Sequence, residues 1–179
     1  MKALLLASLA AALTAPPHPA DPPLPAMTRH AHSSGVWSFE APASWAVREF
    51  PGTPSRHEAA GDGQIARFVY TAGEAGFDSM HVACMLERLR PEQETSPRIR
   101  YEYDFLSGKV GDYQILDSAF EVSYDEAVDG SRDWRQRNVT LVGKGHTLCV
   151  ILHAPLKLWK KSKPARALQE AVLRGVQLP

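Results

Sequence analysis

Residues 113 to 155, YQILDSAFEVSYDEAVDGSRDWRQRNVTLVGKGHTLCVILHAP, decide the fold. From Tyr113 to Tyr124 the side chains alternate, with Leu116, Phe120, Val122 and Tyr124 sharing one face, as a strand of period two requires. Asp129-Gly130 is a dipeptide that reverses a hairpin, and Trp134 to Val142 is the returning strand. Val139 and Leu141 face one side of that strand while Asn138, Thr140 and Val142 face the other, so apolar groups point both ways and both faces are expected to be covered. Gly143-Lys144-Gly145 then turns the chain into Thr147 to His153, where Leu148 to Leu152 run without a polar break, the pattern of a central strand. The stretch is an antiparallel three-strand meander.

Upstream, the apolar spacing predicts strands at Val36 to Phe39, Trp45 to Phe50, Ile65 to Thr71 and Met80 to Leu86. They are bounded by Pro42, Pro51-Gly52, Gly61-Asp62-Gly63 and Gly73 to Gly76. Ser96 as an N-cap, Pro97 at the first helical position, an Ile99, Tyr103, Leu106 face and a terminating Gly108 predict a first helix. Downstream, Ser162 and Pro164 open a second helix with Ala165, Leu168, Ala171 and Val172 on its apolar stripe and Gly175 at its end. The expected order is hairpin, two strands, helix, meander, helix. This is an α+β domain over residues 35 to 179, with an antiparallel sheet of about six to seven strands flanked by two main helices.

The chain has 179 residues, 44% of them hydrophobic and 22% charged, enough apolar material for one modest core. Lys plus Arg equals Asp plus Glu at 20 each, so bulk charge gives no pull toward nucleic acid or acidic lipid. Residues 1 to 15, MKALLLASLAAALTA, place Lys2 before an apolar run and offer small residues for cleavage after Ala12 or Ala15, the pattern of a secretory signal peptide. The run is too short to span a bilayer, which takes roughly 20 residues. No cysteine lies near it to carry a lipid, so the expected destination is the periplasm of a Gram-negative bacterium or the medium. Residues 16 to 34 are rich in proline and read as a spacer or disordered tail.

The short opening VWSFEAPASWAV, the helix after RPEQETSP, the meander and the closing PARALQEAVLRGVQL together resemble the PsbP-like and DcrB-like proteins, over residues 35 to 179. The resemblance rests on element order and apolar pattern. It implies an antiparallel sheet with helices on both faces and a mostly non-catalytic role, as in photosystem II extrinsic subunits, envelope proteins or effector chaperones. It supplies no motif on which a binding residue is carried over.

Catalytic signatures are missing from the sequence: it has no G-x-S-x-G, H-E-x-x-H or S-x-x-K arrangement and no glycine-rich phosphate loop. The expectation is a protein that is not an enzyme and needs no cofactor; the alternatives are a carrier of a small ligand or metal between sheet and helix, and a hydrolase without a recognisable motif. Cys84 and Cys149, each in an apolar strand pattern, are either a disulfide pair, which an oxidising compartment allows, or two small buried hydrophobes. His18, His30 and His32 in the spacer, and His81, His146 and His153 near the cysteines, have metal-ligand chemistry but no spacing that completes a shell. Asn138-Val139-Thr140 is formally a glycosylation acceptor inside a strand.

Charge is unevenly placed. Between Asp112 and Asp133 seven acids face one base, Arg132. Lys157, Lys160, Lys161, Lys163 and Arg166 crowd the entry to the last helix around Trp159. As a functional surface this corner is a docking site for an acidic protein partner, Trp159 anchoring and the bases steering; otherwise it is a solvated loop with Trp159 packed inward. Arg135 and Arg137 are either a second exposed face or a cross-strand charge ladder.

Overall fold

The structure is a computed structural model that describes residues 23 to 179; the leader peptide, its cleavage positions, His18 and the start of the spacer lie outside the described residues. The described residues divide into two compact units, one of residues 23 to 45 with 162 to 179 and one of residues 46 to 161.

In the first unit β1 (Met27–Ala31) pairs antiparallel with β2 (Ser38–Pro42), in register from Met27 opposite Pro42 to Ala31 opposite Ser38. Residues 27 to 31 therefore form a strand inside what the composition reads as spacer. Its histidines are held by ring packing: His30 stacks on Phe39 at 5.3 Å and His32 on Trp37 at 5.3 Å, with His32 Nδ1 also 2.6 Å from Ser34 Oγ. The closing helix (Lys163–Arg174) belongs to this unit and forms as expected. Ser162 Oγ accepts a bond from the Ala165 amide at 3.1 Å, Pro164 stands in the first turn, and Ala165, Leu168, Val172 and Leu173 are buried. Gln177 then bridges to Ser38 through two backbone bonds of 3.0 and 2.8 Å.

The second unit is a seven-stranded antiparallel sheet with the order β3-β4-β5-β9-β8-β7-β6. Its strands are β3 (Ala46–Phe50), β4 (Ser55–Gly61), β5 (Gln64–Ala72), β6 (Arg98–Val110), β7 (Tyr113–Val128), β8 (Ser131–Gly143) and β9 (His146–Pro155). The meander is present, and β9 is the middle strand, as its unbroken apolar run requires. Two-residue turns join β4 to β5, β7 to β8 and β8 to β9. Each has positive φ at both central residues, at Asp62-Gly63, Asp129-Gly130 and Lys144-Gly145, the backbone that matches the twist of the flanking strands.

Two elements exchange identity relative to the sequence reading. The predicted strand at Met80 to Leu86 lies in helix α1 (Phe77–Met85). A short apolar run has no period of its own, and here Met80 and Cys84, four residues apart, turn to the core while Val82 and Leu86 stay exposed. The predicted helix after Pro97 is instead β6, and Gly108 lies within the strand. Residues 98 to 105, RIRYEYDF, alternate polar and apolar almost without exception, and that period of two wins over a helical face assembled from three residues. The opening hairpin is also re-paired, since β2 joins β1 whereas β3 joins β4, a strand the sequence reading omits.

Helix α2 (Leu156–Lys161) follows β9 directly, and the closing helix is α3. On one face of the sheet α1 brings Met80 and Cys84 against Val69, Cys149 and Ile151. On the other face α2 places Trp159 beneath Arg135. Helices thus lie on both faces of this sheet. Among the described residues no helix is long and apolar enough to cross a membrane.

Candidate functional site

The α1 face of the sheet is unevenly covered. One part of it is apolar, with Phe120, Val122, Tyr124, Val128 and Trp134 packed with Ile65 and Leu89. Toward the β3 edge it opens into a cleft of about 950 Å³, floored by β3, β4 and β5 and walled by residues 83 to 92. Strand register sets the floor in cross-strand rows: Arg48, Glu58 and Arg67 form one, Phe50 and Arg56 another, Ala46 and Ala60 a third.

Arg67 is the keystone of the wall. Its Nε donates to Glu58 Oε2 at 2.8 Å, and its two terminal nitrogens donate to the backbone carbonyls of Arg88 and Leu89. An arginine in the middle of an apolar strand thus finds acceptors for its whole fork, which is what lets it be buried. Arg56 pairs with Glu87 at 3.1 Å, and Arg90 with Asp129 at 2.7 Å. Glu87 Oε2 is buried without a hydrogen-bond partner. The remaining arginines of the lining, Arg48 and Arg88, are exposed and have no carboxylate partner among the described residues. Exposed Phe50 and Leu86 stand beside them. Five arginines against three glutamates leave the cleft electropositive, with apolar contact area in between.

A polar layer is buried under α1. His81 Nε2 lies 2.6 Å from Ser118 Oγ, its Nδ1 lies 3.0 Å from Thr140 Oγ1, and Thr140 Oγ1 donates to Cys149 Sγ at 3.4 Å. Gln136 Nε2 donates to the Cys84 and Met85 carbonyls and to Asn138 Oδ1. These groups anchor the C-terminal end of α1 to β8. Asn138 is completely buried, so a glycan on this motif is incompatible with the fold. His81, His146 and His153 are not brought together: His146 Nδ1 meets the Tyr70 hydroxyl at 2.9 Å, whereas His153 stands toward the other end of β9, opposite Ile65.

His153 is wholly buried with neither ring nitrogen hydrogen-bonded. Burial, with the nearby Arg67 charge, holds its pKa well below the ordinary imidazole value of 6.5. The folded protein therefore keeps it neutral while the unfolded chain takes up a proton below about pH 6.5, so its contribution to stability is full above that pH and is lost as the pH falls. Unfolding free energy is expected to fall by up to roughly 1.4 kcal/mol per pH unit below 6.5 from this group. Denaturant titrations between about pH 7.5 and 5 should show a shallower slope for His153→Leu than for the native chain; equal slopes would refute the assignment.

The residues singled out around Trp159 are placed as follows. Lys157, Trp159, Lys160 and Lys161 lie on α2 and Lys163 and Arg166 on α3. The Arg135 guanidinium lies over the Trp159 ring at 3.9 Å, and Lys160 Nζ pairs with Glu121 at 2.9 Å. Arg137 is buried, not exposed, in a bidentate pair with Asp117 at 3.0 and 2.8 Å. In the acid-rich hairpin Asp125 pairs with Arg98, Asp133 with Arg100 at 3.0 Å and Asp129 with Arg90. Cys84 and Cys149 are both free and buried in the same cluster.

No known family model matches this chain, and no curated protein matches it in sequence. In three dimensions it is similar to the solution structure of cyanobacterial PsbP (CyanoP) from Synechocystis sp. PCC 6803, with TM-score 0.58 and 8% identity, covering 88% of this chain and 95% of that one. At TM-score 0.49 come a protein of Bacteroides thetaiotaomicron VPI-5482, 14% identical over 84% of this chain and 48% of its own, and the Saccharomyces cerevisiae Ran-binding protein Mog1p, 7% identical over 86% and 95%. The first likeness defines the class of fold, a PsbP-like α+β fold, and it defines no more than the fold.

Proposed function

We propose that this chain is a non-enzymatic exported protein that acts by binding another protein, as an accessory or immunity-type factor for an envelope or secretion complex. The observation that carries the binding role is the cleft, where Arg48 and Arg88 stand uncompensated beside exposed Phe50 and Leu86. That combination suits an extended partner segment bearing carboxylates next to an aromatic or aliphatic side chain. The lining contains no thiol, hydroxyl or imidazole, and two of its three carboxylates, Glu58 and Glu87, are engaged by Arg67 and Arg56, which supports binding over catalysis.

Fluorescence polarisation with acidic peptides, each carrying one large apolar residue, tests the reading. Arg48→Glu with Arg88→Glu should weaken binding at least tenfold at low salt, and the loss should shrink as ionic strength rises. Peptides that bind both proteins equally would remove the cleft as the site. A second reading places the acidic partner on α2, because Lys157 and Lys161 are exposed beside Trp159. It expects the loss in Trp159→Ala, Lys160→Glu, Lys161→Glu instead. Export is checked separately by the mass of the protein recovered from its host: cleavage after Ala12 or Ala15 is expected, and an intact Met1 in the cytosol would refute it.

A further inference from the structure

Cys84 lies one residue before the last of α1, and Cys149 lies in β9 between Val69 of β5 and Thr140 of β8 in the register. Both side chains are buried, in one cluster with Val69 and Ile151, and Met80 packs against it. The neighbouring Cys149 thiol and burial together push the Cys84 thiol far up. Two cysteines distant in sequence thus share one buried cluster under a helix whose neighbouring residues form a wall of the cleft.

We propose that Cys84 and Cys149 are joined by a disulfide in the mature protein, fastening the end of α1 to the middle strand of the sheet. The oxidant is a disulfide of the small-thiol or oxidoreductase class. One cysteine thiolate attacks it and releases the first oxidant thiol, and the second cysteine then displaces the other, so both electrons pass to the oxidant and both cysteine protons leave. Neither thiol is reachable by such a reagent in the folded protein, where Cys84 is also held protonated, so the bond closes while α1 is docking. Once made, it closes a long loop and holds in place the wall formed by Ala83, Leu86 and Glu87. The persistence of the bond in the cell rests on the export reading, whereas its formation does not.

Refolding the reduced chain in a mixture of reduced and oxidised glutathione separates the two. The expected product has no alkylatable thiol after unfolding, is lighter by two hydrogens and runs as a monomer without reductant. Its melting temperature should exceed that of its reduced form, and that of Cys84→Ala with Cys149→Ala, by roughly 5 to 15 °C. Two alkylatable thiols in the refolded sample, a bridge between chains, or a melting temperature unmoved by reduction would overturn the proposal. Failure of export alone would appear as an unprocessed N-terminus in the host and leave the refolding result intact.

Discussion

Replacing Asp117 by alanine is expected to cost roughly 3 to 5 kcal/mol of folding stability, a large share of what a domain of this size has. Asp117 and Arg137 meet through two parallel bonds of 3.0 and 2.8 Å, with each side chain about nine-tenths buried. The cost comes less from the attraction lost than from what remains, a guanidinium held away from water without its bidentate carboxylate. The double replacement Asp117→Leu with Arg137→Met removes the stranded charge as well and should recover most of the loss. Urea or guanidinium melts of the native chain, the two single variants and the double variant supply the cycle. A single variant within about 1 kcal/mol of the native chain would show that the pair is hydrated in solution.

The second large effect is expected at Trp134, which is 0% exposed and sits among Ile65, Leu89, Phe120, Val122 and Tyr124. Truncation to alanine leaves a cavity and orphans the carbonyl of Ser131, to which the indole Nε1 donates at 3.1 Å. A loss of roughly 3 to 5 kcal/mol follows, measurable by the same melts. Leu89 shares that cluster and also lines the cleft, so affinity for acidic peptides should drop even under conditions where the variant stays folded. Trp134→Phe keeps most of the packed volume and should restore the larger part of both properties. Unchanged stability in Trp134→Ala would mean that this cluster does not hold the loop of residues 86 to 92.

Much of the fold was legible where local signals agreed. The meander carries its alternation, its Asp129-Gly130 and Lys144-Gly145 turns and an unbroken apolar β9, and all of them point to the same pairing. The closing helix likewise has cap, stripe and stop in their proper places. The middle of the chain is harder. β4 buries only Ala59 among its apolar residues, so nothing marks SRHEAAG as a strand until β3 and β5 pair on either side of it. In α1 and β6 the decisive fact was the period, which the seven residues from Met80 to Leu86 do not display and RIRYEYDF does.

The cleft was hardly legible, because its parts come from four separated stretches that only the fold brings together. One trace of it exists in the sequence. Arg67 interrupts an otherwise apolar run, and a charge in a buried strand needs a dedicated set of acceptors somewhere. The charge surplus around Trp159 was visible, but Arg135 above the ring and Glu121 beside Lys160 were not, since each is a partner from a strand far away in sequence.

The pairing of β5 with β9 sets an order of assembly. The four strands from β6 to β9 are contiguous, and each closes on its predecessor as soon as both are made. Residues 64 to 72, by contrast, have their second partner in residues 146 to 155, and until those emerge from the ribosome the amino-terminal half has no seat. High contact order of this kind postpones closure of the sheet until β9 has been made, so the strand that joins its two halves sets the pace of assembly.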